Sequence, residues 1–445
     1  VDNSCRFNDG DGPFLSQTPG TPDSVRIGTI SIWVKLCELG LDRVLLGQQH
    51  AAAAETAIIL SIDAANKIDL DMKTAAGAAI IRRKTTMLLR DPGAWYHIHI
   101  SWNKNKTGDD SCTVTINGIQ QTDYTTNTNS AAQDLGFPNS TKVLNIGEHM
   151  NVSGYHYDGY MAQNAFIDGT EVAATSFGEF NNGVWRPVDI TGLTYGADGW
   201  LLDFADSSDL GNDISGNSND FTSSGLAAND QMTDTPTDNF ATLSPIDPNT
   251  YTLSNGNLDY SSGGITRGIR SGFYAPAGSG KWYFEGTPGT IGQYGIGICN
   301  ADAVIKTSSP FSADFWTVSL FGDFFESGSY PPGGGGTGTA FGSGDVIGVA
   351  FDLAAGKIWF SKNDVWMASG DPANGTNPAM DSVPTNEPMT ACVGTANSAI
   401  TGDITFGQQA FVGTIPAGFS ALSTANLSEP TVKDGRKYFD TILYE

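Results

Sequence analysis

The stretch from Gly344 to Trp366, GDVIGVAFDLAAGKIWFSKNDVW, constrains the fold more than any other part of the chain. Large apolar residues recur at every second position, the pattern of a strand with one buried face: Ile347, Val349, Phe351 and Leu353. A second alternating run, KIWFSK, follows an Ala-Ala-Gly turn, and Asn363-Asp364 supplies another turn before Trp366. The stretch therefore predicts an antiparallel β-meander.

The rest of the chain repeats this signal. Of 445 residues, 54 are glycine and only 16% are charged, a composition typical of many short strands joined by turns. Asn117-Gly118 follows one such strand, and both residues tolerate the positive φ of a type I′ hairpin turn. Two more alternating runs are Ile30, Ile32, Val34 and Tyr96, Ile98, Ile100, Trp102. We predict an all-β protein with two large domains.

The charge of the chain is strongly negative. Lys plus Arg number 23 and Asp plus Glu 48, so the formal net charge is 23 − 48 = −25. Such a surface repels phosphate backbones and anionic lipid, which argues against nucleic-acid partners. No apolar run approaches the roughly 18 to 20 residues that a membrane span needs, so we expect no membrane insertion.

Five cysteines are scattered along the chain without any CxxC spacing: Cys5, Cys37, Cys112, Cys299 and Cys392. An odd, dispersed set fits neither a disulfide framework nor a zinc site. We therefore expect free thiols in a chain made in a reducing cytoplasm.

Changes in composition divide the chain into four segments. Residues 1–175 and 249–426 read as strand-rich domains, and residues 427–445 as a C-terminal tail. Between the domains, residues 176–248 form an Asp-rich connector in which Trp200, Leu202 and Phe204 alternate as in an added strand.

Each strand-rich domain resembles a known family. The ordered segments SCRFNDGDGPFLSQT, TISIWVKL, AWYHIHISWN, CTVTINGIQ and YHYDGYMAQNAFIDG resemble a laminin-G-like domain of the concanavalin A-like superfamily. The segments KWYFEGTP, YGIGIC, DVIGVAFDL, KIWFSKND and DITFGQQAF resemble a SPRY (B30.2-like) domain. Both resemblances imply antiparallel jelly-roll β-sandwiches in tandem, and SPRY domains bind partners without known chemistry.

The order of these domains, with LDFADSSDLGNDISGNSNDF, DTPTDNFATLSP and YFDTILY around them, resembles a group of tailed-bacteriophage virion proteins. This implies a non-enzymatic, multi-copy tail fibre or capsid decoration at the virion surface, made in the host cytoplasm and released by lysis. Its expected partners are other virion proteins and host surface polysaccharide, bound by multivalent adhesion, and a homotrimer is one assembly such a role allows. The alternatives are a purely structural spacer that stabilises the capsid, or a bacterial surface adhesin.

Catalytic groups are sparse. Concanavalin A-like sandwiches also carry glycoside hydrolases, which need two carboxylates about 5–10 Å apart. Glu285 is alone in its strand, and the paired acidic motif of such enzymes is absent from the sequence. His97 and His99 share one strand face and can bind a metal, although a packed or solvated sheet face is the simpler interpretation. We predict no enzymatic activity, no catalytic residue and no cofactor.

One acidic run is a candidate calcium site, since calcium prefers carboxylate and carbonyl oxygens and laminin-G-like domains often hold this ion. Its members are Asp203, Asp206, Asp209 and Asp213. The acidic turn of Asn8, Asp9 and Asp11 is a weaker second candidate. Asp and Asn are equally expected as turn formers in such sequence.

Two aromatic clusters are candidate ligand-binding surfaces. In the first domain, aromatic rings of the kind that stack on sugars lie next to polar groups in the segment Tyr155, His156, Tyr157 and Asp158. In the second, aromatic residues crowd the loops through which SPRY domains contact partners: Phe315, Trp316 and Tyr330, with Phe311, Phe324 and Phe325. The competing interpretation is that these aromatic residues fill the core.

Overall fold

The computed structural model describes residues 1–49, 56–130, 132–149, 154–247, 251–264, 266–305, 310–329, 338–396, 398–429 and 431–432. The chain forms two compact units, Val1–Thr237 with Leu427–Glu445, and Asp238–Asn426. Both are built of sheets whose described strand pairs are antiparallel apart from one parallel pair in the second unit, which confirms the all-β prediction. Over the described ranges, no helix has both the length and the apolar character needed to cross a membrane.

The strands of the first unit are β1 (Ser4–Phe7), β2 (Phe14–Gln17), β3 (Ile27–Leu36), β4 (Arg43–Gln49), β5 (Thr56–Ile62), β6 (Ile68–Lys73), β7 (Ala79–Thr85), β8 (Trp95–Asn103), β9 (Cys112–Ile116), β10 (Ile119–Gln120), β11 (Tyr124–Asn129), β12 (Leu144–Ile146), β13 (Gly159–Asp168), β14 (Gly178–Asn181), β15 (Val184–Pro187), β16 (Trp200–Leu202), β17 (Thr222–Ser224) and β18 (Gln231–Met232). Short 3-10 turns lie at Asp9–Asp11, Asp109–Ser111, Ala174–Ser176 and Ala228–Asp230.

Two sheets of the first unit pack face to face. One has the order β10-β9-β8-β3-β13-β1-β18, with β16 also pairing β13, and the other has the order β11-β7-β6-β5-β4-β12-β2-β17. The alternating residues Ile30, Ile32 and Val34 enter one core with Leu60 and Leu70 of the opposite sheet. Burying each such side chain contributes about 1.5–3 kcal/mol, so the period-two pattern fixes which face of β3 points inward.

The Asp-rich segment folds onto this sandwich. The hairpin β14-β15 covers the outer face of the first sheet, while β16, β17 and β18 extend the two sheets. The composition predicts a connector over residues 176–248, whereas the first unit includes the chain as far as Thr237. Trp200, Leu202 and Phe204 point into the main core, as their alternation predicts.

The strands of the second unit are β19 (Tyr251–Ser254), β20 (Asp259–Gly263), β21 (Arg267–Arg270), β22 (Lys281–Pro288), β23 (Tyr294–Asn300), β24 (Phe315–Ser319), β25 (Phe324–Glu326), β26 (Ile347–Asp352), β27 (Lys357–Lys362), β28 (Val365–Trp366), β29 (Met389–Thr395), β30 (Ala399–Thr405) and β31 (Ser420–Ala421). Two 3-10 turns lie at Met367–Ser369 and Thr424–Asn426.

This unit also pairs two sheets. One has the order β19-β20-β30-β22-β26-β27-β28, with β31 pairing β22, and the other has the order β21-β29-β23-β24-β25. The predicted meander is β26-β27-β28, and Asn363 and Asp364 have φ of 49° and 66° in its second turn. Phe360 of β27 stacks on Phe324 of the opposite sheet with ring centroids 5.7 Å apart, so aromatic rings join the two layers.

Candidate functional site

Two segments far apart in sequence meet at one end of the first sandwich. Strands β1 and β13 are antiparallel, and Phe7 lies opposite Gly159. Residues that follow Phe7 must therefore lie beside residues that precede Gly159. The Asp9 backbone lies close enough to the Asp158 carboxyl to lower its pKa, and a Cβ atom at Gly12 would lie 3.8 Å from the His156 ring. The acidic turn and the Tyr155–Asp158 segment thus form one site.

A buried arginine holds this site together. Arg43, at the start of β4, is only 6% exposed. Its Nη2 contacts Asp9 Oδ2 at 3.1 Å and also contacts the carboxylate of Glu38. Its Nε is buried without a hydrogen-bond acceptor among the described residues. We call Asp9, Glu38, Arg43, His156 and Asp158 the rim cluster.

Asp158 is the electrostatically unusual member of the rim cluster. Burial, with repulsion from Asp9, raises the pKa of the Asp158 carboxyl to about 7, and Arg43 only partly offsets this. Near neutral pH the group is therefore present both as an acid that can donate a hydrogen bond and as a carboxylate that can accept one. Its Oδ1 finds no donor within the described part of the chain.

His156 lies on the other side of the cluster. Its Nε2 is 3.9 Å from Glu148 Oε1, and Glu148 Oε2 accepts a 2.9 Å hydrogen bond from the Asn145 side chain. Its Nδ1 is buried and has no partner among the residues described. Tyr155 is half-buried, and its ring lies 6.0 Å from that of His149.

The remaining predicted member of this segment does not face a ligand. Tyr157 is fully buried, and its hydroxyl donates to the Lys35 carbonyl at 2.9 Å. Its ring packs edge-on against Phe7 at 5.9 Å. The prediction of Tyr157 as a ligand-binding residue is therefore wrong, because its ring packs in the core, whereas Tyr155 and His156 are only partly buried.

The aromatic cluster of the second unit is also mostly core. Phe315 is fully buried beside Cys299 and Cys392, and Trp316 is only 5% exposed. The predicted roles of Phe315 and Trp316 in binding are corrected accordingly, since both are buried in the first half of β24 rather than in a loop. Tyr330 lies outside the described residues. Phe321, in the turn after β24, is 67% exposed and was not predicted.

The four aspartates of the calcium prediction fold their own loops. Asp203, Asp206 and Asp209 each accept a hydrogen bond from the backbone amide two residues ahead, at 2.9–3.2 Å. Asp213 accepts from the amides of Leu201, Ser215 and Asn219 at 2.8–2.9 Å. The described residues hold no group of three or more His, Cys, Asp or Glu side chains placed to bind a metal. This geometry fits turn formation, and the calcium site stays a prediction without structural support.

His97 and His99 are packed on the outer face of the first sheet, under the β14-β15 hairpin. Trp185 Nε1 donates to His97 Nδ1 at 3.0 Å, and His97 Nε2 lies 2.8 Å from Ser31 Oγ. His99 Nε2 lies 2.9 Å from the Val172 carbonyl, to which it donates. Burial lowers the pKa of both imidazoles, to about 4 for His99, so both are neutral structural groups at pH 7.

Glu285, the isolated strand carboxylate, serves as a loop anchor. It is 1% exposed and accepts hydrogen bonds from Tyr283 Oη at 2.7 Å and from the amides of Val412 and Gly413 at 2.8 Å. These bonds occupy both carboxylate oxygens, so Glu285 is unsuited to proton transfer with a substrate.

Arg43, Glu38 and Glu148 were not predicted from the sequence. Arg43 carried a usable signal, because an arginine that opens the apolar strand RVLLGQQ needs carboxylate partners when buried. Its partners come from separate turns, and no local pattern identifies them.

Comparisons with known proteins agree with this architecture. Residues 14–175 match the Concanavalin A-like lectin/glucanases superfamily, and residues 281–409 match the SPRY domain. The chain therefore contains a concanavalin A-like domain followed by a SPRY domain, and such domains are typically non-enzymatic binding modules. No curated protein matches the chain.

Several solved structures are similar to parts of the chain. The SPRY domain of human HERC1 is 19% identical, covers 38% of this chain and 99% of its own, and has a TM-score of 0.29. The TRIM65 PSpry domain is 16% identical over 37% of this chain and 92% of its own, with a TM-score of 0.29. The heptameric SAP-like pentraxin from Limulus polyphemus is 13% identical over 37% of this chain and 75% of its own, with a TM-score of 0.28.

Proposed function

Because the chain carries a concanavalin A-like domain and a SPRY domain, we propose that it is a non-enzymatic recognition protein of a bacteriophage virion surface. It acts as a tail fibre or capsid decoration and binds host glycan or a neighbouring virion subunit. Two features support this proposal: the resemblance of the segment order to phage virion proteins, and the rim cluster of the first unit.

The observation that carries the binding role is the set of unused polar atoms in the rim cluster. Arg43 Nε, His156 Nδ1 and Asp158 Oδ1 are buried and have no hydrogen-bond partner in the described chain. A buried polar group without a partner costs about 1–3 kcal/mol, and a ligand that supplies the partner recovers this energy. Sugar hydroxyls both donate and accept, and they suit this mixture of groups.

The charge of the cluster narrows the ligand class. The carboxylates of Asp9, Glu38 and Asp158 surround the single guanidinium of Arg43, so an anionic polysaccharide would be repelled. Half-buried Tyr155 immediately precedes His156 of the cluster in the chain. A neutral host polysaccharide is therefore the ligand that the cluster favours.

Binding of immobilised host polysaccharide to the full-length protein tests the proposal. Asp158→Asn keeps the size of the side chain but fixes it as an amide, and we expect at least about tenfold weaker binding, or about 1.4 kcal/mol. Asp110→Asn removes an equally sized acid at an exposed position of the same unit and should leave binding unchanged.

Three results would contradict parts of the proposal. Absence of saturable binding would favour the structural spacer. Saturable binding that Asp158→Asn leaves intact would remove the rim cluster from the interaction. Release of reducing sugar during incubation would contradict the non-enzymatic role, and in that case Asp158 would be the first acid to suspect. Mass spectrometry of purified particles tests the virion location separately.

A further inference from the structure

A cavity of the first unit lies on the outer face of the sheet that contains β1 and β13. Its volume is about 370 Å³, within the range of small-ligand sites. Asn3, just before β1, lines this cavity, whereas Asp9 of the rim cluster follows β1. The two sites therefore lie at opposite ends of one strand, and binding at either can be tested without the other.

An unusual backbone position forms one wall of the cavity. The pairing of β13 with β3 shifts register between Ala162 and Ala165, and Gln163 within this bulge has φ of +43°. Bulges and left-handed residues other than glycine are enriched near binding sites, because they re-aim a side chain at a cost in local stability. Because of the bulge, Gln163 does not follow the regular alternation of side chains along β13 and instead forms part of the cavity wall.

Gln163 is 94% buried, and its side chain carries an unused acceptor. Its Nε2 donates to the Val188 carbonyl at 2.8 Å, which fixes the orientation of the amide. Its Oε1 has no donor among the described residues, although it is a strong acceptor. A hydrogen-bond donor on a ligand in this cavity would satisfy this acceptor.

Carboxylates surround the same space. Asp2, Asp189 and Asp203 line the cavity, and its described lining includes no Lys, Arg or His side chain. Asp189 accepts hydrogen bonds from the amide and hydroxyl of Thr191, and these lower the pKa of its carboxyl, so it is ionised at neutral pH. The described walls thus present three acidic side chains.

The floor of the cavity is apolar. Ile190 and Leu201 are buried there, and Ile214 packs against them. An apolar floor beneath an acceptor-rich rim suits a ligand with a hydrocarbon stem and a charged donor at its end.

We propose that this cavity binds an ammonium or guanidinium group carried on a short apolar stem. The group donates to Gln163 Oε1 and faces the carboxylates of Asp189 and Asp203, while the stem lies on Leu201. A free alkylamine and the lysine or arginine side chain of a partner protein share this chemistry.

Calorimetric titration of the full-length protein with n-butylguanidinium tests the proposal. We expect saturable binding at least about tenfold tighter than that of the neutral isostere n-butylurea, and weaker binding as salt rises from about 50 mM to about 500 mM. A short arginine-containing peptide that binds more tightly than n-butylguanidinium would identify a protein side chain as the source; equal or weaker binding would identify a free small amine.

Two variants locate the site. The double variant Asp189→Asn, Asp203→Asn keeps both turn hydrogen bonds and should weaken n-butylguanidinium binding at least about tenfold. In the variant Gln163→Asn, the new residue tolerates the positive φ, but its shorter side chain holds the carbonyl oxygen farther from the ligand. This variant should weaken binding of both probes. Asp110→Asn is the matched control and should change nothing. Equal affinity for the two probes, no saturable binding, or unchanged binding by the folded double variant would overturn the proposal.

Discussion

Acidification should destabilise the first unit through His99, and the size of the effect follows from its surroundings. His99 is 2% exposed, its Nε2 donates to the Val172 carbonyl, and its ring lies 5.4 Å from that of Phe177. Burial lowers the pKa of the imidazole from 6.5 to about 4. Between these values the unfolded chain binds a proton at His99 that the folded chain does not. The His99 contribution to stability is therefore constant above pH 6.5 and falls below it.

The linkage relation converts this difference into free energy. At pH 5 the unfolded imidazole is almost fully protonated and the folded one about one tenth protonated, which costs about 2 kcal/mol of unfolding free energy. The contributions of Asp158 and Asp198 to stability rise on acidification, because burial raises the pKa of their carboxyls to about 7 and about 6, respectively. The pH profile of the wild type alone therefore mixes terms that oppose one another.

A comparison of variants isolates the histidine. His99→Gln has no imidazole to protonate, so its deficit in unfolding free energy relative to wild type should shrink by about 2 kcal/mol between pH 7 and pH 5. Urea titration followed by hydrogen exchange of β8 and β13 peptides reports the transition of this unit. Ser101→Ala, on the same strand, should show a deficit independent of pH. A His99→Gln deficit equal at both pH values would refute the argument.

Three further outcomes are expected. Glu285→Gln places an amide N–H against one of the three groups that donate hydrogen bonds to the carboxylate, so it should lower the free energy of unfolding by about 2–4 kcal/mol. It should also speed hydrogen exchange at Val412 and Gly413. The exposed-site variant Asp302→Asn should have neither effect. Burial and the neighbouring Asp168 raise the pKa of the Asp198 carboxyl, so its charged form destabilises the fold. Asp198→Asn should therefore stabilise the first unit by about 1–3 kcal/mol at pH 7, and this gain should vanish near pH 4, as measured by thermal unfolding. Gly118→Val should lower Tm, because φ is +75° there and the new Cβ would overlap the Trp185 ring that covers the sheet.

Local patterns in the sequence determined the layered architecture. Alternation placed Ile30, Ile32 and Val34 in the core, and Asn117-Gly118 adopts the predicted turn with φ of 47° and 75°. These signals are local: side chains alternate every two residues along a strand, and a type I′ turn depends on only two residues. The sequence alone was therefore sufficient for the all-β class and for many individual strands.

The candidate sites depended on the tertiary structure. Tyr157 and Phe315 share their local pattern with surface aromatic residues, and only the packing of a second layer decides that they are buried. The rim cluster exists because Phe7 pairs with Gly159, a register that joins residues more than 150 positions apart. Alternation along one strand specifies which face is apolar, but it carries no information about which distant turn lies at the strand's end, and that register is set only when the whole sandwich closes.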